Sequence, residues 1–256
     1  MAYTNSSLVS YTKLSPNHSG TRTHSIDRIT PHCVVGQLSA ESICGCFTST
    51  SRQASCNYGI GKDGRISLCV EEKNRSWCSS SAANDQRAVT IECASDAKEP
   101  YAMNSSVYNS LVKLCTDICR RNGKKKLLWL GDKTRTLNYS PKSDEMVLTV
   151  HRWFANKSCP GTWLYSRLSD LASKVTANLG GSSSASTSSS LPYRVRVSIT
   201  DLNIRKGPGT NYARTGKYTG KGVFTIVAES SGTGASKWGK LKSGSGWISL
   251  DYAKKI

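Results

Sequence analysis

RITPHCVVG, Arg28 to Gly36, is the stretch on which the reading of this chain turns. Apolar and β-branched residues crowd around one histidine and stop at a glycine, the pattern of a short buried strand. Working outward, SAESICGCF (Ser39–Phe47) reads as a helix capped by Ser39. NYGIGKDGRISLCV (Asn57–Val70) reads as a hairpin turning on Lys62-Asp63-Gly64, and RAVTIECA (Arg87–Ala94) as a second buried strand. VYNSLVKLCTDICRRNG has apolar residues at three- and four-residue spacing and a stop at Gly123, so it predicts a helix. PGTWLYSRLSDLASKVTANLG predicts one more, opening with Pro160 in its first turn, repeating Leu164, Leu168, Leu171 and Val175, and closing at Gly180. Strands mixed with helices predict an α/β unit, a mixed central sheet flanked by helices. The N-terminal segment, which holds His18 and His24, reads as polar and irregular.

The chain marks its own division. NLGGSSSASTSSSLP (Asn178–Pro192) has almost nothing to bury and reads as a flexible linker. The expected domains are residues 1–178, a linker at 179–192 and a second unit at 193–256. In that second unit, YRVRVSITDLNIRKGPGTNY, YTGKGVFTIVAES and KWGKLKSGSGWISL are short alternating runs punctuated by Gly, Pro and Asn, which predicts a small all-β barrel.

Charge and composition exclude some classes and leave others open. The net charge is +18, of which the residues from Pro192 onward carry +9 (12 Lys and Arg less 3 Asp and Glu). Such a balance suits either a plain soluble basic surface or a polyanionic partner, whether nucleic acid, teichoic acid or peptidoglycan carboxylates. A nucleic-acid binder would need a basic-aromatic stacking motif, a zinc finger or a recognition helix, and the chain offers none. It has no run of eighteen apolar residues, so no membrane span is expected, and MAYTNSSLVSYTKLSPNHSG lacks the order of a secretory signal. Synthesis in the cytoplasm is the expectation, with release by another route if the protein acts outside. All ten cysteines lie between Cys33 and Cys159, and most read as free thiols serving as small buried hydrophobes; Cys115 and Cys119 share one helical face with Leu111 and Val112 nearby.

TVHRWFANKSCPG (Thr149–Gly161) departs from that pattern, because His151 and, eight residues on, Cys159 favour the same metals. A catalytic zinc site needs three protein ligands and one open position. His32, at the end of its strand, is placed to be the third.

ITPHCVVG, NYGIGKDGRI, VTIEC and TVHRWFANKSCPG together resemble the motifs of the type 2 N-acetylmuramoyl-L-alanine amidases. These amidases are relatives of the peptidoglycan recognition proteins and are found in phage endolysins and bacterial autolysins. The resemblance runs from about Ile26 to Leu179. It implies a zinc hydrolase that cuts the amide between N-acetylmuramic acid and L-alanine, with His32, His151 and Cys159 as metal ligands. It further implies Tyr58 and Lys157 as donors to the developing oxyanion and Glu92 as the acid near the zinc water. Trp77, in NRSWCSSS, resembles the loop that lines the family's substrate groove. Cys33 stands where many relatives carry a second histidine. The stretch from Tyr193 to Ile256 looks like a bacterial SH3-type (SH3b) domain, which implies wall binding, with Tyr212, Trp238 and Trp247 as aromatics of its groove or core. The partners implied are bacterial peptidoglycan and its attached anionic polymers, with no nucleic acid, and the protein acting as a monomer on the wall after release. The rival on the same fold is a non-catalytic peptidoglycan receptor. Such receptors typically lack the cysteine ligand or the tyrosine, whereas Cys159 and Tyr58 are both present here.

Overall fold

The structure, a computed structural model, describes residues 3–180 and 191–256, which belong to two compact units. The linker expected at 179–192 lies mostly outside the described residues. In chain order the first unit contains β1 (Val9–Thr12), β2 (His18–Thr21), β3 (Arg28–Cys33), α1 (Ala40–Gly45), β4 (Tyr58–Ile60), β5 (Ile66–Leu68), β6 (Asn74–Ser76), α2 (Ala82–Arg87) and β7 (Ala88–Cys93). It continues with α3 (Ser105–Arg121), β8 (Lys126–Leu128), α4 (Lys133–Leu137), β9 (Glu145–Leu148), α5 (Gly161–Tyr165) and α6 (Leu168–Asn178).

Seven strands form one mixed sheet in the order β1-β5-β4-β7-β3-β9-β8, in which only β4 and β5 run antiparallel to each other. The RITPHC strand lies inside the sheet, in unbroken register with β7 from Arg28↔Ala88 to Cys33↔Cys93. Successive side chains of a strand point to opposite faces, so this register sorts the residues into two sets. Ile29 and Cys33 of β3, Val89, Ile91 and Cys93 of β7, and Tyr58 and Ile60 of β4 join one apolar core with Leu111, Leu114 and Ile118 of α3 and Leu168, Leu171 and Val175 of α6. Thr30, His32, Thr90 and Glu92 take the other face. There Ile43 and Cys44 of α1 pack with Phe47, Cys56 and Cys69 in a smaller cluster. No disulfide joins the ten cysteines, and seven of them are buried.

Local chemistry explains the helix ends. Asn104 caps α3 by accepting from the Val107 N–H at 3.0 Å. At its other end Gly123 takes φ 67°, and the Gly123 and Lys124 N–H groups donate to the Arg120 and Cys119 carbonyls, a Schellman closure. Ser39 caps α1 by accepting from the Ser42 N–H. The Pro160–Gly180 stretch, expected as one helix, is two. The Arg167 N–H turns to the Leu164 carbonyl, and its guanidinium donates to the Trp163 carbonyl at 2.9 Å while lying over the Trp163 ring, so the ladder breaks between α5 and α6. The N-terminal segment, expected as irregular, supplies β1 at the edge of the large sheet and β2, which pairs with β6. Both strands alternate between half-buried and exposed positions, so their polar composition hides their pairing.

The second unit is all-β apart from one short turn at Leu250–Tyr252. Its strands are β10 (Tyr193–Val197), β11 (Asn203–Arg205), β12 (Arg214–Tyr218), β13 (Gly222–Gly232), β14 (Ala235–Leu241), β15 (Trp247–Ser249) and β16 (Ala253–Lys255). They pair antiparallel in the order β12-β11-β15-β14-β13-β10-β16 around Val195, Val197, Leu202, Ile204, Ile226, Leu241 and Ile248. Trp238 is buried, Trp247 half-buried, and Tyr212 exposed with its ring against Gly207. No helix among the described residues is long and apolar enough to cross a membrane.

Candidate metal centre and groove

Three elements bring the candidate ligands together. His32 sits one residue from the C-terminal end of β3, 1% exposed. His151 opens a short 3-10 turn just after β9, and that turn is held from behind by Trp153, whose ring stacks on Trp129 with centroids 5.1 Å apart. Cys159 follows in the next loop, where its carbonyl accepts from the Arg152 N–H at 3.2 Å, tying the loop to the histidine turn. One ligand atom from each of His32, His151 and Cys159 lies within 4.8 Å of the others.

The donor set fits zinc. Tetrahedral zinc with bonds of about 2.0 Å to nitrogen and 2.3 Å to sulfur holds the two atoms roughly 3.5 Å apart. Cys159 Sγ and His32 Nδ1 are 3.3 Å apart. Burial, then the neighbouring His151 ring, pushes the His32 pKa down to about 3, which leaves its ring neutral and able to offer a lone pair. His32 Nε2 is buried without a hydrogen-bond partner. The Cys159 thiol is pushed well above its ordinary pKa by its hydrogen bond with Cys33, by burial and by Glu92, so a bound cation would have to reverse that balance to create the thiolate.

Glu92 comes from the neighbouring strand. It is the register partner of His32, points to the same face, and places Oε1 3.9 Å from His32 Nδ1. Burial pushes its pKa up to about 7, against the opposing pull of the Arg52 guanidinium and the Cys78 hydrogen bond. Its Oε2 has no hydrogen-bond partner. A carboxyl in that state can take up and return a proton near neutrality. His32, Cys78 and Glu92 form a second close group, with Cys78 Sγ 3.9 Å from Glu92 Oε1.

His151, Cys159 and Glu92 open onto a groove of about 970 Å³, which Trp77, Lys157, Arg52 and Arg75 also line. Backbone strain gathers there as well. Among the described residues the non-glycine positions with left-handed φ are Val35 (59°), Gln53 (51°), Ser80 (61°) and Tyr101 (53°), and all four line this groove. Such conformations cost about 1–3 kcal/mol each and persist where the surroundings over-determine them, as at functional sites. Beneath the groove floor the threonines and asparagines satisfy one another. Thr30 Oγ1 meets Thr149 Oγ1 at 2.7 Å, Asn84 bonds both threonines, and Asn57 bonds the backbone and hydroxyl of Thr90.

A profile of the N-acetylmuramoyl-L-alanine amidase family matches residues 22–162, just over half of the chain and a span that contains His32, Glu92, His151 and Cys159. The chain belongs to that family. Among solved structures it resembles PlyL at 14% identity, covering 64% of this chain and 95% of that one with a TM-score of 0.47. It also resembles a selenomethionine derivative of AmpD (16% identity, 67% and 99% covered, TM-score 0.48) and the endolysin amidase LysCS from Clostridium intestinale URNW (15%, 68% and 97%, 0.41). No curated protein sequence matches the chain significantly.

Of the residues that the family resemblance singles out, the amidase unit gathers His151, Cys159, Glu92, Lys157 and Trp77 along one groove, with His32 buried beside His151 and Cys159 and Trp77 Nε1 donating to Ser19 Oγ. Tyr58 is not among them. Its register partner is Ile91, one residue before Glu92, so it points to the opposite face of the sheet and is fully buried in the α3 core. There its hydroxyl donates to Glu72 Oε1 at 2.6 Å and accepts from the Ser6 N–H at 2.8 Å, while Arg121 pairs with the same carboxylate. Tyr58 is therefore a strut between the N-terminal segment and α3, not an oxyanion donor. Tyr58→Phe should leave turnover within about threefold of wild type and lower stability by about 1–3 kcal/mol, since it strands the Ser6 donor and removes one partner of a buried carboxylate. Chemical denaturation beside a turnover assay checks this, and a hundredfold loss of turnover with unchanged stability would restore the catalytic role.

Sequence reasoning missed Ser80, Cys78, Arg52 and Tyr101. They sit in loops and one short 3-10 turn whose composition is ordinary, and only the folded chain shows that those segments meet at the groove.

Proposed function

We propose that the chain is a zinc-dependent N-acetylmuramoyl-L-alanine amidase of the endolysin or autolysin kind. It hydrolyses the amide bond between N-acetylmuramic acid and L-alanine in bacterial peptidoglycan, and residues 193–256 act as an SH3b wall-binding domain on the linker 179–192. The observation that carries this reading is the convergence of two imidazoles and a thiol beside the carboxyl of Glu92 at the edge of a long groove.

A secondary amide is a poor electrophile with a poor leaving group. Zinc held by His32, His151 and Cys159 would supply Lewis acidity, activating water and polarising the amide carbonyl. Glu92 accepts the proton of the attacking water and delivers it to the departing L-alanine nitrogen. Lys157, at the groove wall, offers an ammonium donor where negative charge grows on the former carbonyl oxygen. Trp77 presents an aromatic face to the sugar or the stem peptide, and Arg52 and Arg75 give the groove positive charge toward the anionic stem. In the second unit, +9 of charge favours anionic wall polymers.

Mass spectrometry of wall digests tests the reading. It expects new L-alanine amino termini and no new reducing sugar ends. A chain ending at residue 180 should cleave soluble muropeptides at nearly the full-length rate and intact walls more slowly, because tethering raises the effective concentration at an insoluble substrate. New reducing ends would sink the amidase reading, and undiminished lysis of whole cells by the shortened chain would sink the targeting role.

A further inference from the structure

We propose that Ser80 is a positioning residue that sets which nitrogen of His151 faces the metal centre. This inference rests on the zinc reading above and deepens it. Ser80 Oγ lies 2.9 Å from His151 Nε2. A neutral imidazole carries one N–H and one lone pair, so whichever nitrogen is engaged as a donor leaves the other free to bind metal. With Nε2–H donating to the serine oxygen, the lone pair of His151 rests on Nδ1. The His32 and His151 rings stand 5.1 Å apart between centroids, with Cys159 Sγ against His32 Nδ1.

The loop is built to hold that hydroxyl in place. Ser80 has φ 61°, a region a serine enters only under constraint. On its N-terminal side the Cys78 and Ser79 N–H groups both donate to the carboxylate of Asp85, a residue of α2 that is 2% exposed, at 3.0 and 3.2 Å. Ser79 Oγ accepts from Asn84 Nδ2 at 3.1 Å. On its C-terminal side Ser81 caps α2 by accepting from the Asn84 N–H at 3.3 Å. Four contacts to α2 thus clamp the residues on either side of Ser80. The serine itself is exposed and anchors no core, so the contact that the strained conformation secures is the one to His151. Partners of this kind, which hold the far nitrogen of a metal-ligating histidine, typically change metal affinity by about 10–100-fold when removed.

Substituting glycine separates positioning from folding. Ser80→Gly removes the hydroxyl yet suits a left-handed φ better than serine does, so the variant should melt no lower than wild type. Its zinc affinity, measured by competition with a chromogenic chelator, should fall about 10–100-fold. In the ion-free protein, ring 15N shifts of His151 should report the Nε2–H tautomer in wild type and a mixture in Ser80→Gly. Ser80→Asn, whose side chain tolerates the same backbone and offers a carbonyl oxygen to Nε2–H, should recover part of the affinity. Zinc binding in Ser80→Gly equal to wild type, or an unchanged tautomer, overturns the inference while leaving the zinc reading standing. A wild-type protein that binds no zinc overturns both.

Discussion

Cys159→Ala is expected to leave the protein folded, without stoichiometric zinc, and inactive on peptidoglycan. Structural zinc sites in small peptides are worth about 10–16 kcal/mol at neutral pH, so one thiolate in a three-ligand site carries several kcal/mol, on the order of 10³-fold in affinity. The remaining pair, His32 and His151, cannot complete a site with a single open position. The fold should persist, since Cys159 is only partly buried at the margin of the core and the sheet's hydrogen bonds do not pass through it. Metal analysis after dialysis, circular dichroism and a turbidity assay on walls check the three parts. Cys33→Ser is the matched control: the Cys33 thiol hydrogen-bonds Cys159 but belongs to neither close ligand group, and a serine hydroxyl can keep that hydrogen bond, so the replacement should keep one zinc per chain. A Cys159→Ala protein with full zinc and full lysis ends the assignment.

Glu92→Gln should keep both the ion and the fold, and lower kcat by about 10²–10⁴-fold with little change in KM, the range of a lost general acid–base group. The amide has the shape of the acid and cannot shuttle the proton. Burial gives this residue its value, because the wall that excludes water from the carboxyl also raises its pKa to about 7. The nearness of Cys78 makes the metal measurement informative, since His32, Cys78 and Glu92 are themselves close enough to hold an ion. Loss of zinc in Glu92→Gln would make Glu92 a ligand, and wild-type turnover would remove it from the chemistry altogether.

Much of this was legible in the chain itself, for reasons that are local. The capped helix at Ser39, the hairpin on Lys62-Asp63-Gly64 and the stop at Gly123 depend on turn and cap chemistry that short stretches contain in full. The candidate ligands stood out because the chain has only four histidines, and one of them stands eight residues before a cysteine in TVHRWFANKSCPG, two residue types that favour the same metals. Less visible was the run Glu145–Leu148, a four-residue strand beside β3 too short to show a period, and the edge strands of the polar N-terminal segment.

What the residue order determined by itself was therefore the two-unit plan, the α/β and all-β patterns, and the residue types able to hold zinc. Tertiary structure alone decided which face of the sheet each of them occupies. Tyr58 and Glu92 differ by one step of register, Tyr58 opposite Ile91 and Gly59 opposite Glu92. A strand repeats every two residues, so that single step moves a side chain from the groove to the core on the far side of the sheet, and no motif match sees it. Ser80 makes the same point from the other direction. A serine among serines has no signature, and it acquires a role only when a loop 71 positions before His151 is clamped against that ring by the carboxylate of Asp85.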